Sequence, residues 1–169
     1  CATTILKNVI FEKIYFMKTL SQKDFTNKRA VIRVDFNVPL DENFKVTDNT
    51  RIIAAKETIE LVLKGGGSCV LISHLGRPKG KDAQFSLSHI LEEVKQILNI
   101  PVEFCDDCVG PEAEKATEDL KPGSVILMEN LRYYSEETAG DVDFASQLSK
   151  LGDCYINDAF GTAHRAHAS

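Results

Sequence analysis

Six arginines occur in the chain, and four of them stand beside polar clusters at the borders of apolar runs. Arg77 lies in His74-Leu75-Gly76-Arg77-Pro78, Arg132 in Glu129-Asn130-Leu131-Arg132, and Arg165 in the polar stretch from Asp158 to His167. Arg51 opens an amphipathic segment directly after Asp48-Asn49-Thr50. A cation is mildly unfavourable at the start of a helix because of the macrodipole, so Arg51 is better explained as the partner of a bound anion. These four guanidinium groups, with His74, His164 and His167, predict a deep cationic pocket. Guanidinium forks match phosphate and carboxylate oxygens in pairs, which favours a small, multiply charged substrate. The plainer alternative is that each arginine pairs with a surface carboxylate for at most about 1 kcal/mol. That account serves any single arginine well and four at equivalent positions poorly.

The elements that must hold these residues follow from hydrophobic patterning. Short β-rich runs are expected at 30–34, 69–73, 102–104, 124–128 and 154–157. Between them Ile52, Ala55, Ile59, Val62 and Leu63 recur at helical spacing, as do Leu87, Ile90, Leu91, Val94, Ile97 and Leu98, and Phe144, Leu148 and Leu151. Such alternation predicts the α/β class, with βα units around a mostly parallel sheet. Gly65-Gly66-Gly67 ends the first helix, while Pro101 and Gly110-Pro111 punctuate the others. Four strands then run straight into polar clusters: Asp35-Phe36-Asn37-Val38-Pro39, 74–78, 129–132 and 158–167. The carboxyl ends of a parallel sheet form one edge, with ligands bound in the crevice outside it, so the clusters are expected to converge.

Composition bounds the rest. The 169 residues predict one domain, able to bury roughly 70% of the surface its unfolded chain exposes. With 43% apolar and 27% charged residues the chain is expected to be soluble and globular. A net charge of −5 argues against nucleic acid as a partner, so any anion site must be local. Five irregularly spaced cysteines fit reduced thiols and a cytoplasmic address, and no apolar run suits a membrane span.

Several motifs are set aside. Cys105-Asp106-Asp107-Cys108 has redox or zinc spacing but stands alone, and its acidic neighbours would raise a thiol pKa. His164-x-x-His167 has no carboxylate nearby in sequence to complete a metal site and fits the anion pocket better; His89 is expected to be structural or at the surface. The glycine triplet follows a helix and precedes a strand, the reverse of a phosphate loop, and no Walker or G-x-G-x-x-G motif occurs. The first 16 residues read as an extension of doubtful status upstream of a domain spanning 17–169, and the ending at Ser169 reads as a truncation.

Taken together, Val34-Asp35-Phe36-Asn37-Val38-Pro39, Arg51-Ile52, Ser73-His74-Leu75-Gly76-Arg77-Pro78, Glu129-Asn130-Leu131-Arg132 and the run from Asn157 to Ser169 closely resemble the amino-terminal half of phosphoglycerate kinase. The likeness covers residues 18 to 169. It implies a three-layer α/β/α, Rossmann-like domain, the first of two in that family. It also implies a monomeric glycolytic enzyme that moves a phosphoryl group reversibly between 1,3-bisphosphoglycerate and ADP, giving 3-phosphoglycerate and ATP. By the same resemblance, Asp35, Phe36, Asn37, Arg51, His74, Leu75, Gly76, Arg77, Arg132 and Arg165 bind the three-carbon acid; Arg51, a fixed positive charge at a helix amino terminus, is the candidate for the catalytic role. Mg-ATP or Mg-ADP would sit mainly on a second domain outside these residues, which leaves no metal or cofactor site here and a segment inactive alone. A non-catalytic phosphate-ester binding module is the alternative. Tyr133 stands where the family usually has Phe.

Overall fold

The computed structural model describes residues 24–159, 161 and 166–169. The proposed extension at 1–16, His164 and Arg165 lie outside the described residues. Five strands, β1 (Arg29–Val34), β2 (Ser68–Ile72), β3 (Glu103–Cys105), β4 (Val125–Met128) and β5 (Cys154–Asp158), form a sheet in the order β3-β4-β2-β1-β5. Every pairing in it is parallel. The helices are α1 (Thr50–Lys64), α2 (Leu91–Leu98), α3 (Pro111–Glu118), α4 (Ser135–Ala139) and α5 (Val142–Ser149).

Side chains alternate across the sheet and build two cores. Ala30, Ile32, Val34, Cys69, Leu71, Val125 and Leu127 face one side, where Ile52, Ala55, Ile59 and Val62 of α1 and Val94 and Leu98 of α2 cover them. Val31, Val70, Ile72, Ile126 and Met128 face the other, against Ala113 of α3 and Phe144, Ala145 and Leu148 of α5. This is a three-layer α/β/α domain. Each fully buried Ile or Leu contributes about 1.5–3 kcal/mol, so the near-continuous apolar strands require cover on both faces.

Glycine ends α1 as the pattern predicts. The Gly65 N–H donates to the Leu61 carbonyl, and a Cβ there would lie 2.9 Å from Cδ2 of Phe25. Two local expectations need correction. The apolar repeat from Leu87 to Leu98 is not one helix but a 3-10 turn (Leu87–Ile90) followed by α2. The Leu87 N–H donates 2.8 Å to the Glu129 carboxylate and the Ser88 N–H donates to Ser86 Oγ, which ties the segment's start to a neighbouring loop. Gly110-Pro111 is more than punctuation: Pro111 opens α3, where its missing N–H costs nothing. That helix turns only Ala113 and Thr117 fully inward, too little apolar surface to reveal its period.

Candidate functional site

The carboxyl ends of β1 and β2 are joined by one hydroxyl. Ser73 Oγ accepts from the Phe36 N–H and donates to the Val34 carbonyl, both at 2.9 Å. Beyond this joint, Asn37 Oδ1 accepts from the Gly76 N–H at 2.8 Å, so the loops after the two strands are bound to each other. Phe36 is fully buried in the core, and its aromatic ring supports the loop from beneath.

The loop after β4 joins through Asn130, itself fully buried. Its Nδ2 donates to the carbonyls of Leu75 and Phe85, both at 2.8 Å, while Oδ1 accepts from the N–H groups of Leu75 and Arg132. Arg132 Nη1 donates in turn to the Gly76 carbonyl at 3.1 Å. Gly76 therefore meets two loops at once, in a left-handed conformation with φ of 62°. A Cβ there would come within 2.3 Å of the Phe85 ring. Gly76→Ala combines backbone strain with this clash and is expected to cost about 2–4 kcal/mol, read as a lowered denaturation midpoint.

Arg51 and Asp35 complete the nearer part. Arg51 Nη1 donates 2.8 Å to Asp35 Oδ2, so the anion at the start of α1 is a carboxylate of the chain itself. The Arg51 side chain is 51% exposed, and such a pair holds at most about 1 kcal/mol, which leaves it ready to exchange partners. The loop after β5 approaches the same carboxylate: a Cβ on Gly161 would lie 3.3 Å from Asp35 Oδ2. On the other side, a cavity of 630 Å³ is lined by Arg77, Lys79, Arg132, Tyr134, Glu136 and His167, among others. Its cations outnumber its carboxylates, which suits an anion.

The structure thus joins Arg51 to Asp35, Asp35 to Asn37, Asn37 to Gly76 and Gly76 to Arg132 through direct hydrogen bonds, brings Leu75 in through Asn130, and places Arg77 and Arg132 on the wall of the same cavity. His74 is buried, 4% exposed, with Nδ1 at 3.1 Å from Nη2 of Arg33. Sequence reasoning passes over Ser73, Glu129, Asn130, Glu137 and Arg33 as positioning groups. The signal for Arg33 is a charged residue inside an otherwise apolar strand; Glu137 carries no comparable signal.

Cys105 and Cys108 are buried, and burial more than their acidic neighbours pushes both thiols up, which keeps them protonated and poor as nucleophiles. His89 sits in the 3-10 turn rather than a helix, at the surface, its ring stacked on Phe44 at 4.3 Å. A carboxylate does approach His167, contrary to the reading from sequence neighbours: Glu137 Oε1 lies 4.0 Å from Nδ1. That carboxylate accepts from the backbone and hydroxyl of Ser169.

The family model described as phosphoglycerate kinase matches residues 20–169. The chain belongs to the phosphoglycerate kinase family. It is 47% identical to a phosphoglycerate kinase of Porphyromonas gingivalis, with 89% of this chain and 42% of that protein covered. Against the cytosolic phosphoglycerate kinase of Nicotiana tabacum the identity is 48%, covering 89% and 38%. Among solved structures, phosphoglycerate kinase from Pyrococcus horikoshii OT3 matches with a TM-score of 0.81 at 31% identity, covering 90% of this chain and 39% of the other. The enzyme from Coxiella burnetii gives 0.77 at 34%, covering 88% and 37%. The chain therefore spans about two-fifths of the length of the phosphoglycerate kinases it matches.

The glycine triplet does not fit a nucleotide's phosphates. The one glycine triplet packs closely under the chain at 25–28, where a Cβ on Gly67 would lie 3.0 Å from the Lys28 carbonyl, so it forms no open cradle. Tyr133, in place of the phenylalanine usual in phosphoglycerate kinases, uses its hydroxyl: Oη donates 2.6 Å to the Asp82 carbonyl. Burial pushes this phenol up to about 12, so it remains a donor at neutral pH. Tyr133→Phe is expected to cost about 1 kcal/mol in denaturant unfolding and to leave the cavity intact. Among the described residues, no helix is long and apolar enough to cross a membrane.

Proposed function

We propose that residues 17–169 form the phosphoglycerate-binding domain of a cytoplasmic phosphoglycerate kinase. Such an enzyme transfers a phosphoryl group reversibly between 1,3-bisphosphoglycerate and ADP, and the nucleotide would be held by parts of the protein outside this segment. The observation that carries the reading is the interlocking of the polar loops after β1, β2 and β4 around Gly76 and Asn130, with guanidinium groups at the rim. The tobacco relative's cytosolic name and the buried, protonated thiols support the cytoplasmic address.

Under this reading the substrate's carboxylate is the nucleophile in the direction of bisphosphoglycerate synthesis. With an ordinary pKa near 4 it is already ionised at neutral pH, so no general base is needed. The protein then contributes alignment and charge neutralisation. Arg51, held loosely by Asp35, is free enough to turn toward a developing negative charge, while Arg77, Arg132, Arg165 and His74 would anchor the remote phosphate and Asn37 the loop around it.

Calorimetric titration of this chain with 3-phosphoglycerate tests the reading. Binding is expected, and Arg132→Ala should weaken it by roughly 10-fold or more, the worth of one charge-assisted contact. A chain that is folded by circular dichroism and takes up no 3-phosphoglycerate overturns it. In a full-length enzyme carrying this segment, Arg51→Ala should lower kcat far more than it raises KM, and Arg132→Ala should chiefly raise KM.

A further inference from the structure

One buried cation has no part in the phosphoglycerate contacts above. Arg33, on β1, is 2% exposed. Its Nη1 donates to the Val34 carbonyl at 2.6 Å, its Nε donates to Ser169 Oγ at 2.9 Å, and its Nη2 lies 3.1 Å from Nδ1 of His74. A guanidinium carries only donors. Nδ1 of His74 must therefore accept, because an N–H at that position would set donor against donor. The ring proton then belongs to Nε2.

We propose that Arg33 is a positioning residue that locks His74 in the Nε2–H tautomer and so makes it a fixed hydrogen-bond donor for an oxygen of the phosphorylated ligand. The tautomer follows from the Arg33–His74 geometry alone; the ligand rests on the phosphoglycerate reading above. The backbone on either side of His74 is pinned, by the Ser73 hydroxyl on the Val34 carbonyl and by the Leu75 N–H on Asn130. The guanidinium is pinned as well. Ser169 Oγ, which accepts from it, donates to Glu137 Oε1, and the same carboxylate accepts from the Ser169 N–H at 3.0 Å. One hydroxyl thus relays the charge of Glu137 to Arg33, and both ends of the relay are buried. A lysine at 33 would keep the charge but not the fork that reaches three acceptors in different directions.

The test is nitrogen-15 NMR of the histidine-labelled chain at neutral pH, with the His74 signals assigned by their loss in His74→Gln. The expected pattern is an unprotonated Nδ1 and a protonated Nε2. An Nδ1–H ring, or an average of the two tautomers, overturns the proposal. In Arg33→Lys and Arg33→Met, each checked for folding by circular dichroism, the His74 signals should shift toward a tautomer mixture. Affinity for 3-phosphoglycerate should fall about tenfold in Arg33→Met, as for loss of one well-placed donor. Unchanged His74 signals in either folded variant also overturn the proposal. Should both variants fail to fold, the wild-type spectrum alone decides. The locked tautomer found in a folded wild-type chain that does not bind 3-phosphoglycerate upholds the positioning role and overturns the ligand reading instead.

Discussion

Asn130→Ala should be among the most damaging single substitutions in the domain, lowering stability by roughly 3–5 kcal/mol. The side chain is fully buried and serves four backbone groups: the carbonyls of Leu75 and Phe85 and the N–H groups of Leu75 and Arg132. Alanine replaces none of these bonds. Leaving a buried polar group unpaired costs about 1–3 kcal/mol, and with a cavity this small and polar-walled, an entering water would recover only part of the loss. Denaturant unfolding measures the stability. Under the proposed function, titration with 3-phosphoglycerate measures the second effect, since the backbone of Arg132 and the segment leading to Gly76 both lose their anchor. A variant that keeps wild-type stability would mean that Asn130 does not carry this junction.

Glu137→Leu is expected to cost a similar amount, about 3–5 kcal/mol, for an electrostatic reason. Burial pushes the Arg33 guanidinium toward losing its proton, and the Glu137 carboxylate is the largest influence opposing that. Removing the carboxylate leaves a buried cation without its largest counter-charge and deprives Ser169 of the acceptor for its hydroxyl and its N–H. Replacing both members by apolar residues removes the imbalance. The double variant Arg33→Met, Glu137→Leu should therefore be less destabilised than the sum of the singles, by at least about 1 kcal/mol in a double-mutant cycle. Strict additivity would show that the two residues do not sense each other.

The layers of this domain are legible because burial on both faces writes itself into composition. Runs such as 30–34 and 124–128 are short, apolar and rich in β-branched residues, which suits strands covered on both sides, and β1 and β4 begin within one residue of them. The repeat of Ile52, Ala55, Ile59 and Val62 marks α1 for the same reason. Helices that bury little apolar surface escape: α3 turns Ala113 and Thr117 inward, and α4 buries Glu137. At the site, residue type and strand-end position mark Asp35, Asn37, Arg51 and Arg132, because guanidinium and carboxylate side chains announce their chemistry. The groups that hold them do not. Asn130 and Ser73 work through backbone partners on other loops, and those partnerships exist only once the sheet has brought the loops together.

β1 lies inside the sheet, and its outer neighbour is β5, so that the Arg29 N–H closes on the Asp153 carboxylate 124 residues further along the chain. Closing so long a loop is entropically slow, and nothing local guides it. Docking of β5, the last strand among the described residues, accordingly adds one wall to the crevice. Any molecule that bridges this wall to the earlier loops favours the docked state by mass action. Assembly of the polypeptide and capture of its guest would then share one free-energy balance.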